Sequence, residues 1–222
     1  MFIKPIENLK EIAEIDEAIE KERMPLLIYG LTDSQKAHIA HYIIKKLNKK
    51  VLFITYDDVE ARAIYEDLIS FLNGDAYLIP SRDALFYKVD ASSLDLIGKR
   101  LIAVKKIIDD KPSAFVASID GVLNKVASKD IFLRYSRKYK IGDIIDLEEL
   151  SSSLITMGYE RVPMVEGKGQ FSIRGGIIDF FSPMEDEGFR IELFDDVIDS
   201  IRSFDVFTQR SLNNLSEVEL FP

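Results

Sequence analysis

The sequence contains no cysteine, only two histidines and no long apolar run. Without cysteine, disulfide bonds and thiolate metal sites are excluded. His38 and His41 leave little for metal binding or base catalysis, and both fall in a predicted helix, where we interpret them as solvated. No segment reaches the roughly 18 apolar residues of a membrane span, and residues 1–22 lack the apolar stretch of a signal peptide. We therefore expect a cytoplasmic protein with no membrane partner and no metal.

The overall charge is negative. The 222 residues include 29 basic and 38 acidic side chains, a formal net charge of −9. This balance disfavours strong nonspecific binding to nucleic acid by the chain as a whole. The hydrophobic content of 47% is enough for a packed core. We expect a monomer that carries no cofactor.

Short apolar runs alternate with helical patterns through residues 1–130. The runs predicted as buried strands are 25–29, 51–56, 77–79 and 114–117. Between them, residues 34–47, 58–72 and 92–108 have helical spacing, Asp120 begins a short helix, and residues 81–90 form a predicted loop. Continuously apolar strands that alternate with helices predict a parallel sheet covered on both faces. Residues 1–130 are therefore predicted to be an α/β domain.

The pattern changes from residue 131 onward. Residues 131–141 are strand-like and basic, and Asp146 caps a helix that ends at Gly158. The later predicted strands are 159–165, 170–174, 177–181, 189–194, 197–204 and 218–221. We predict a small, mostly antiparallel α+β domain over residues 131–215, with residues 216–222 starting a further segment. The domain boundary is expected between residues 125 and 135.

The stretch from Gly158 to Phe181 carries the strongest functional signal. Gly167-Lys168-Gly169 is predicted to join two strands into a hairpin. Along 170–174, alternation places Phe171 and Ile173 on one face and Gln170, Ser172 and Arg174 on the other. We expect Arg174, and Arg161 across the hairpin, on an open basic face that suits docking better than chemistry. A charge reversal at Arg174 is then expected to leave the fold intact.

Four pieces of this region resemble a known family: GYERV, GQFSIRGGIIDFF, RIELFDDVIDSIRSFD and TQRS. The chain resembles the UvrB-homology module at the N-terminus of the bacterial transcription-repair coupling factor (Mfd), a module also found in the excision-repair subunit UvrB. The resemblance covers nearly the whole chain. It implies a RecA-like sheet in the first domain, and a non-catalytic module whose small domain binds UvrA, the damage-recognition ATPase of nucleotide excision repair. It also implies that the full-length parent is an ATP-dependent DNA translocase, with later regions that bind RNA polymerase and double-stranded DNA.

The resemblance also implies a set of partner-binding residues. In UvrB-type modules, Y-E-R is followed by F-R-V-R-G, and the three arginines bind UvrA. Arg161 and Arg174 match two of these arginines, whereas Ser172 replaces the third, so one charged contact is absent. The implied docking residues are Arg161, Arg174, Ser172 and Phe171. Without the resemblance, Arg161 and Arg174 are better explained as solvated strand residues.

A degenerate phosphate-binding loop spans residues 30–37. An intact loop reads G-x-x-x-x-G-K-[ST], and here Gln35 replaces the second glycine while Ala37 replaces the hydroxyl that binds Mg²⁺. Gly30 and Lys36 keep their places. The resemblance agrees, because UvrB keeps this loop and the coupling factor has lost it. We expect no nucleotide cofactor and no catalysis; a P-loop nucleotide hydrolase is the alternative.

Two further features allow both a functional and a structural interpretation. Asp57, Asp58 and Asp120 follow predicted strands, where open α/β sheets bind ligands, but each also precedes a helix and is explained by N-capping. The basic run at 134–140 interleaves tyrosines, as in proteins that bind single-stranded nucleic acid. An amphipathic strand with solvated charges explains this run as well, and the acidic composition favours it. A DNA-binding module related to UvrB remains an alternative function.

Overall fold

The structure is a computed structural model that describes residues 4–7, 9–23, 25–81 and 90–222. It divides into two compact units. The first consists of the described residues up to 81 together with 102–125, and the second of residues 90–101 together with 126–222. Within these described ranges, no helix has the length and apolar character to cross a membrane. Residues 82–89 of the predicted loop lie outside the described residues.

The first unit combines helices with a small parallel sheet. Its helices are α1 (Lys4–Glu7), α2 (Lys10–Glu20), α3 (Asp33–Lys46), α4 (Asp58–Leu72), the second half of α5 (Asp90–Ile108) and α6 (Ile119–Leu123). Its strands are β1 (Val51–Thr55), β2 (Ala76–Ile79) and β3 (Ala114–Ser118), which pair in the order β1-β3-β2, all parallel. The predicted α/β class is confirmed.

The core of the first unit is formed by the sheet with α3 and α4. Leu68 and Leu72 of α4 are fully buried in one cluster with Val116 of β3. Asp57 caps α4, because its carboxylate accepts a hydrogen bond from the Glu60 backbone N–H at 2.8 Å. The helix therefore starts where the capping signal in the sequence predicted.

The structure corrects two predictions for the first unit. Residues 25–29 are not a strand: Leu27 and Tyr29 are 84% and 87% exposed, and the segment pairs with no strand of the described residues. An apolar run becomes a strand only where a neighbouring strand accepts its backbone hydrogen bonds. Asp120 does not cap α6, because the cap is Ser118, whose Oγ accepts from the Gly121 N–H at 3.2 Å.

The second unit is organised around a six-stranded mixed sheet in the order β10-β9-β8-β7-β6-β5. Its elements are α7 (Lys129–Tyr135), β4 (Arg137–Lys140), α8 (Leu147–Thr156), β5 (Glu160–Arg161), β6 (Gln170–Arg174), β7 (Ile177–Phe181), β8 (Gly188–Phe194), β9 (Val197–Phe204), β10 (Ser211–Leu215) and β11 (Glu217–Leu220). Neighbours from β6 to β10 are antiparallel, and β5 is parallel to β6. Strands β4 and β11 form a separate antiparallel pair.

One face of the six-stranded sheet is buried in the main core of this unit. Fully buried side chains from successive strands cluster there with α8, namely Phe171, Ile178, Ile191, Ile201 and Leu154. Asp146 caps α8 as predicted, accepting from the backbone N–H groups of Glu148 and Glu149 at 2.8 and 3.0 Å. The alternation predicted for β6 follows from this packing, because Phe171 and Ile173 both join the cluster.

Three predictions for this unit are wrong in detail. The segment 159–165 does not form a hairpin with 170–174: β5 has two residues and runs parallel to β6, while the chain leaves the sheet to bury Val165 in a separate cluster. Residues 131–135 of the expected basic strand lie in helix α7, and β4 follows as a short strand. Strand β11 pairs with β4 and so belongs to the second unit, whereas we expected residues 216–222 to begin another segment.

Independent folding of the two units stays a prediction that limited proteolysis can test. Residues 125–128 are exposed and have no regular structure between α6 and the capping residue of α7. We expect trypsin to cleave the native chain first after Lys125, because flexible exposed backbone fits a protease most easily. Mass spectrometry of the first fragments checks this, and Lys125→Gln serves as the control. Initial cleavage within β6–β9 would contradict the division.

His41 is buried rather than solvated, and this predicts a pH dependence. Burial lowers the pKa of His41 below its ordinary value of 6.5, and its Nδ1 has no hydrogen-bond partner among the described residues. The unfolded chain therefore binds this proton more readily than the folded one, so stability is present above about pH 6.5 and falls as the pH drops below it. We expect a lower thermal midpoint at pH 5.5 than at pH 7.5. The difference should shrink in His41→Phe and persist in His38→Gln.

Candidate functional site

The second face of the six-stranded sheet carries charged side chains. Strand register places Asp179 of β7, Arg190 of β8 and Arg202 of β9 side by side on this face. Arg174 of β6 and Glu192 of β8 flank Ile177 of β7, which lies two residues along the strand from Asp179. Because side chains alternate along each strand, these five residues share the face opposite the apolar core.

Asp179 is the centre of this face. Its carboxylate is completely buried and accepts three hydrogen bonds from two arginines. Arg190 donates from Nε to Oδ1 at 2.6 Å and from Nη2 to Oδ2 at 2.9 Å, while Arg174 donates from Nη2 to Oδ2 at 2.7 Å. The hydrogen bonds to Asp179 raise the pKa of Arg190. Two guanidinium groups thus share one carboxylate, with a net charge of +1.

A second ion pair lies beside the first. Arg202 donates from Nη2 to Oε2 of Glu192, and the Ser200 hydroxyl donates to the same oxygen at 3.1 Å. Arg202 and Glu192 are both about one-third exposed, so the pair is partly hydrated. Each charge in this pair is matched by one opposite charge, in contrast to the group around Asp179.

The TQRS piece closes one end of the face. The Gln209 side chain donates from Nε2 to the carbonyl oxygens of Val165 and Val206 at 2.9 and 2.7 Å. Val165 and Val206 pack there with Phe181 and Phe204 in a small buried cluster. The turn is held by its own hydrogen bonds and so forms a fixed border to the charged face.

The structure separates the four residues that the sequence implied for docking. Arg174 is 47% exposed on the charged face, and Arg161 is exposed at the sheet edge. Phe171 fills the apolar core at 0% exposure, and Ser172 is buried with its hydroxyl donating to the Pro163 carbonyl at 3.0 Å. Neither side chain is presented to solvent: Phe171 lies in the apolar core, whereas Ser172 is in register with Asp179 on the charged face and is buried there.

Arg161 and Arg174 lie on opposite faces of the sheet, whereas we expected them on the same face. Arg161 pairs in register with Phe171, which places it on the core side of the β5 edge, whereas Arg174 points to the opposite face. Along the strand they are about 10 Å apart, judged from the rise of roughly 3.3 Å per residue. The expected hairpin would have placed them together, and the parallel pairing of β5 does not.

The sequence analysis did not identify Asp179 and Arg190 as site residues, although the sequence contains a signal for both. Asp179 interrupts an apolar strand, and Arg190 alternates with Phe189 and Ile191. A charge inside an otherwise buried strand needs an opposite charge within reach, since an unpaired buried carboxylate is costly. Strand register, which the sequence does not show, was needed to identify the partner.

The degenerate loop has a local structural explanation. Gln35 Oε1 accepts a hydrogen bond from the Thr32 backbone N–H at 2.9 Å, so the glutamine side chain occupies the start of α3. Lys36 pairs with Asp33 at 3.0 Å and Glu60 at 3.6 Å, and its pKa is raised, chiefly by the hydrogen bond to Asp33. Ala37 is fully buried in the core, and Gly30 has a φ of +78°.

The remaining candidates also have structural partners. Asp58 accepts hydrogen bonds from the hydroxyls of Ser81 and Ser118 and so ties together the ends of β2 and β3. In the basic run, Lys138 and Lys140 pair with Glu217 of β11 at 2.5 and 3.7 Å. No cluster of metal-binding side chains is present among the residues that the structure describes.

Comparisons with known proteins agree with this arrangement. Residues 138–222 match the family model described as the UvrB interaction domain. A transcription-repair-coupling factor of Staphylococcus aureus (strain bovine RF122 / ET3-1) is 33% identical over 195 residues, which cover 87% of this chain and 17% of that protein. One from Staphylococcus haemolyticus (strain JCSC1435) is 32% identical over 216 residues, 97% of this chain and 18% of that protein.

The six-stranded mixed sheet, with one packed and one charged face, lies within the residues that match the UvrB interaction domain model. The resemblance of the chain to the UvrB-homology module of transcription-repair coupling factors is confirmed, since the similarity extends over most of its residues. The chain spans less than one-fifth of the length of these relatives.

Proposed function

We propose that this chain is the non-catalytic module of a transcription-repair coupling factor that recruits UvrA for nucleotide excision repair. The observation that carries the proposal is the surplus guanidinium of Arg174, half-exposed above the buried pair of Asp179 and Arg190. The match of residues 138–222 to the UvrB interaction domain supports a docking role for this part of the chain. Arg161, exposed at the sheet edge, is the second contact that we propose.

Arginine suits this role because its planar group offers five N–H donors in a rigid fork that matches a carboxylate. Arg174 uses one nitrogen for Asp179, so further donors remain for an acidic group on the partner. The chain as a whole carries a net charge of −9, so its overall charge does not attract an acidic partner. The local positive charge of Arg174 can do so, and it thereby fixes where an acidic partner surface would dock. Binding of RNA polymerase and double-stranded DNA, and ATP-driven translocation, are proposed for other regions of the parent protein.

A titration of the immobilised chain with purified UvrA tests the proposal directly. We expect saturable binding that weakens as salt is added, because exposed charges are screened. The double variant Arg161→Gln/Arg174→Gln is the matched control, since it removes both proposed contacts without introducing negative charge. Wild-type chain that fails to bind UvrA at low salt would refute the proposed function.

Nucleotide hydrolysis is the competing enzymatic function, and the degenerate loop argues against it. Gln35 fills the position where phosphate would meet the start of α3, and Lys36 is already paired with two carboxylates. We expect no Mg²⁺-dependent ATP hydrolysis by the purified chain, and the same background in Lys36→Ala. A phosphate-release assay on both proteins checks this. A rate that disappears in Lys36→Ala would contradict it.

DNA binding through residues 134–140 is the other competing function. Glu217 offsets part of the positive charge of Lys138 and Lys140, and Tyr139 packs against the main core of the second unit instead of offering its ring for stacking. A salt-sensitive shift of duplex or single-stranded DNA by the chain, lost in Lys138→Ala/Lys140→Ala, would favour this function instead.

A further inference from the structure

We propose that Asp179 is the positioning residue of the docking surface and that its carboxylate holds Arg174 in the pose that meets the partner. This inference rests on the proposed docking of UvrA. It assigns a role to a residue that makes no contact with the partner, because Asp179 is completely buried.

The pair of Asp179 and Arg190 provides a rigid base. The two residues lie directly opposite each other on β7 and β8, and Arg190 binds both carboxylate oxygens through two different nitrogens. This two-point contact fixes the plane of the carboxylate. The Arg190 side chain is only 16% exposed and its guanidinium lies 4.8 Å from the centre of the Phe204 ring, so it is held from both sides.

Arg174 is attached to this base at one point. Its own cross-strand neighbour is Ile177, so its side chain reaches along the face to bind Oδ2 of Asp179 from Nη2 at 2.7 Å. About half of the side chain stays exposed. A guanidinium that is anchored through one nitrogen keeps a defined orientation while its other donors remain available.

Charge balance argues that Arg174 does more than neutralise Asp179. Arg190 alone compensates the buried carboxylate with a two-point contact, just as Arg202 alone compensates Glu192 on the same face. A structural ion pair does not require a second guanidinium on the same oxygen. The surplus positive charge is therefore the part of the group that an acidic partner can match.

Pre-positioning lowers the cost of binding. A long side chain that is mobile in the free protein loses rotamer freedom when it is immobilised in an interface. Arg174 has lost much of that freedom before the partner arrives. Arg161 provides the contrast within the same chain, because it is exposed and forms no ion pair among the described residues.

Side-chain NMR relaxation of the free chain tests the positioning without any partner. We expect the Nε–H group of Arg174 to be as ordered as that of Arg190 and more ordered than that of Arg161. In Asp179→Asn, Arg174 should become as mobile as Arg161. If Arg174 is as mobile as Arg161 in the wild-type chain, the inference is overturned, whether or not UvrA binds.

A double-mutant cycle tests the consequence for docking. Asp179→Asn should weaken UvrA binding by about 2- to 12-fold, the cost of immobilising one side chain converted to affinity. In an Arg174→Gln background the same change should have little further effect, because Asp179 acts through Arg174. An equal loss in both backgrounds, or tighter binding from the removed negative charge, overturns the inference while the proposed function stands. Thermal melts of each variant confirm folding, and absence of wild-type binding overturns the proposed function itself.

Discussion

Arg174→Gln is expected to lower the affinity for UvrA by about 30- to 5,000-fold with little change in stability. Removing one partner of a desolvated interfacial charge pair costs about 2–5 kcal/mol. The fold should tolerate the change, because Asp179 keeps both contacts from Arg190. Titration calorimetry with purified UvrA measures the affinity, and urea unfolding measures the stability.

The control for this prediction is Arg62→Gln, an exposed arginine of α4 in the first unit. It removes the same charge from the chain, so a general electrostatic effect would weaken binding in both variants. Equal affinity of Arg174→Gln and wild type would show that Arg174 is not a docking residue. Arg174→Glu is a poorer probe than the sequence suggested, because the new carboxylate would lie beside buried Asp179 and destabilise the sheet by repulsion.

Phe171→Ala is expected to destabilise the second unit by about 3–5 kcal/mol, the usual cost of truncating a buried phenylalanine. Phe171 is fully buried in the core cluster with Leu154, Ile178 and Ile191, so its loss leaves a cavity that the sheet cannot close. A large drop in the urea midpoint is the expected result. Any loss of UvrA binding should then follow the fraction of unfolded chain.

Phe194→Ala is the matched control, because it removes the same side chain from the same sheet. Phe194 is 80% exposed at the turn between β8 and β9, where its removal should change the stability by no more than about 0.5 kcal/mol. If Phe171→Ala unfolds no earlier than Phe194→Ala and still loses docking, Phe171 is a contact residue as the resemblance implied, and the packing described above is contradicted.

Features with local causes could be predicted from the sequence. The alternation in β6 separates Phe171 from Arg174 because successive side chains of a strand point to opposite faces. The start of α8 at Asp146 follows from a side chain that bonds the first backbone N–H groups. The turn at residues 195–196 follows from two aspartates between apolar runs, and Asp195 adopts the left-handed conformation at φ +60°.

Features that depend on distant partners could not be predicted. Residues 25–29 have the composition of a buried strand but lack a paired neighbour, so they stay exposed. The order Gly-Lys-Gly suggested a hairpin, yet β5 takes the parallel position beside β6, which moves Arg161 away from Arg174. The composition of a segment does not show which strand it will pair with.

The sequence by itself indicated the α/β class, the buried and open sides of β6, and the resemblance to a UvrB-type module through the pieces between residues 158 and 211. It also pointed to Arg174, because that position combines an alternating strand with a family motif. The tertiary structure alone decided that Arg174 is tied to Asp179 and Arg190, and that Phe171 and Ser172 lie beneath the surface. The reason is physical: a charge network across three strands depends on the strand register, and the register is fixed only when the strands pair and the sheet packs against its core.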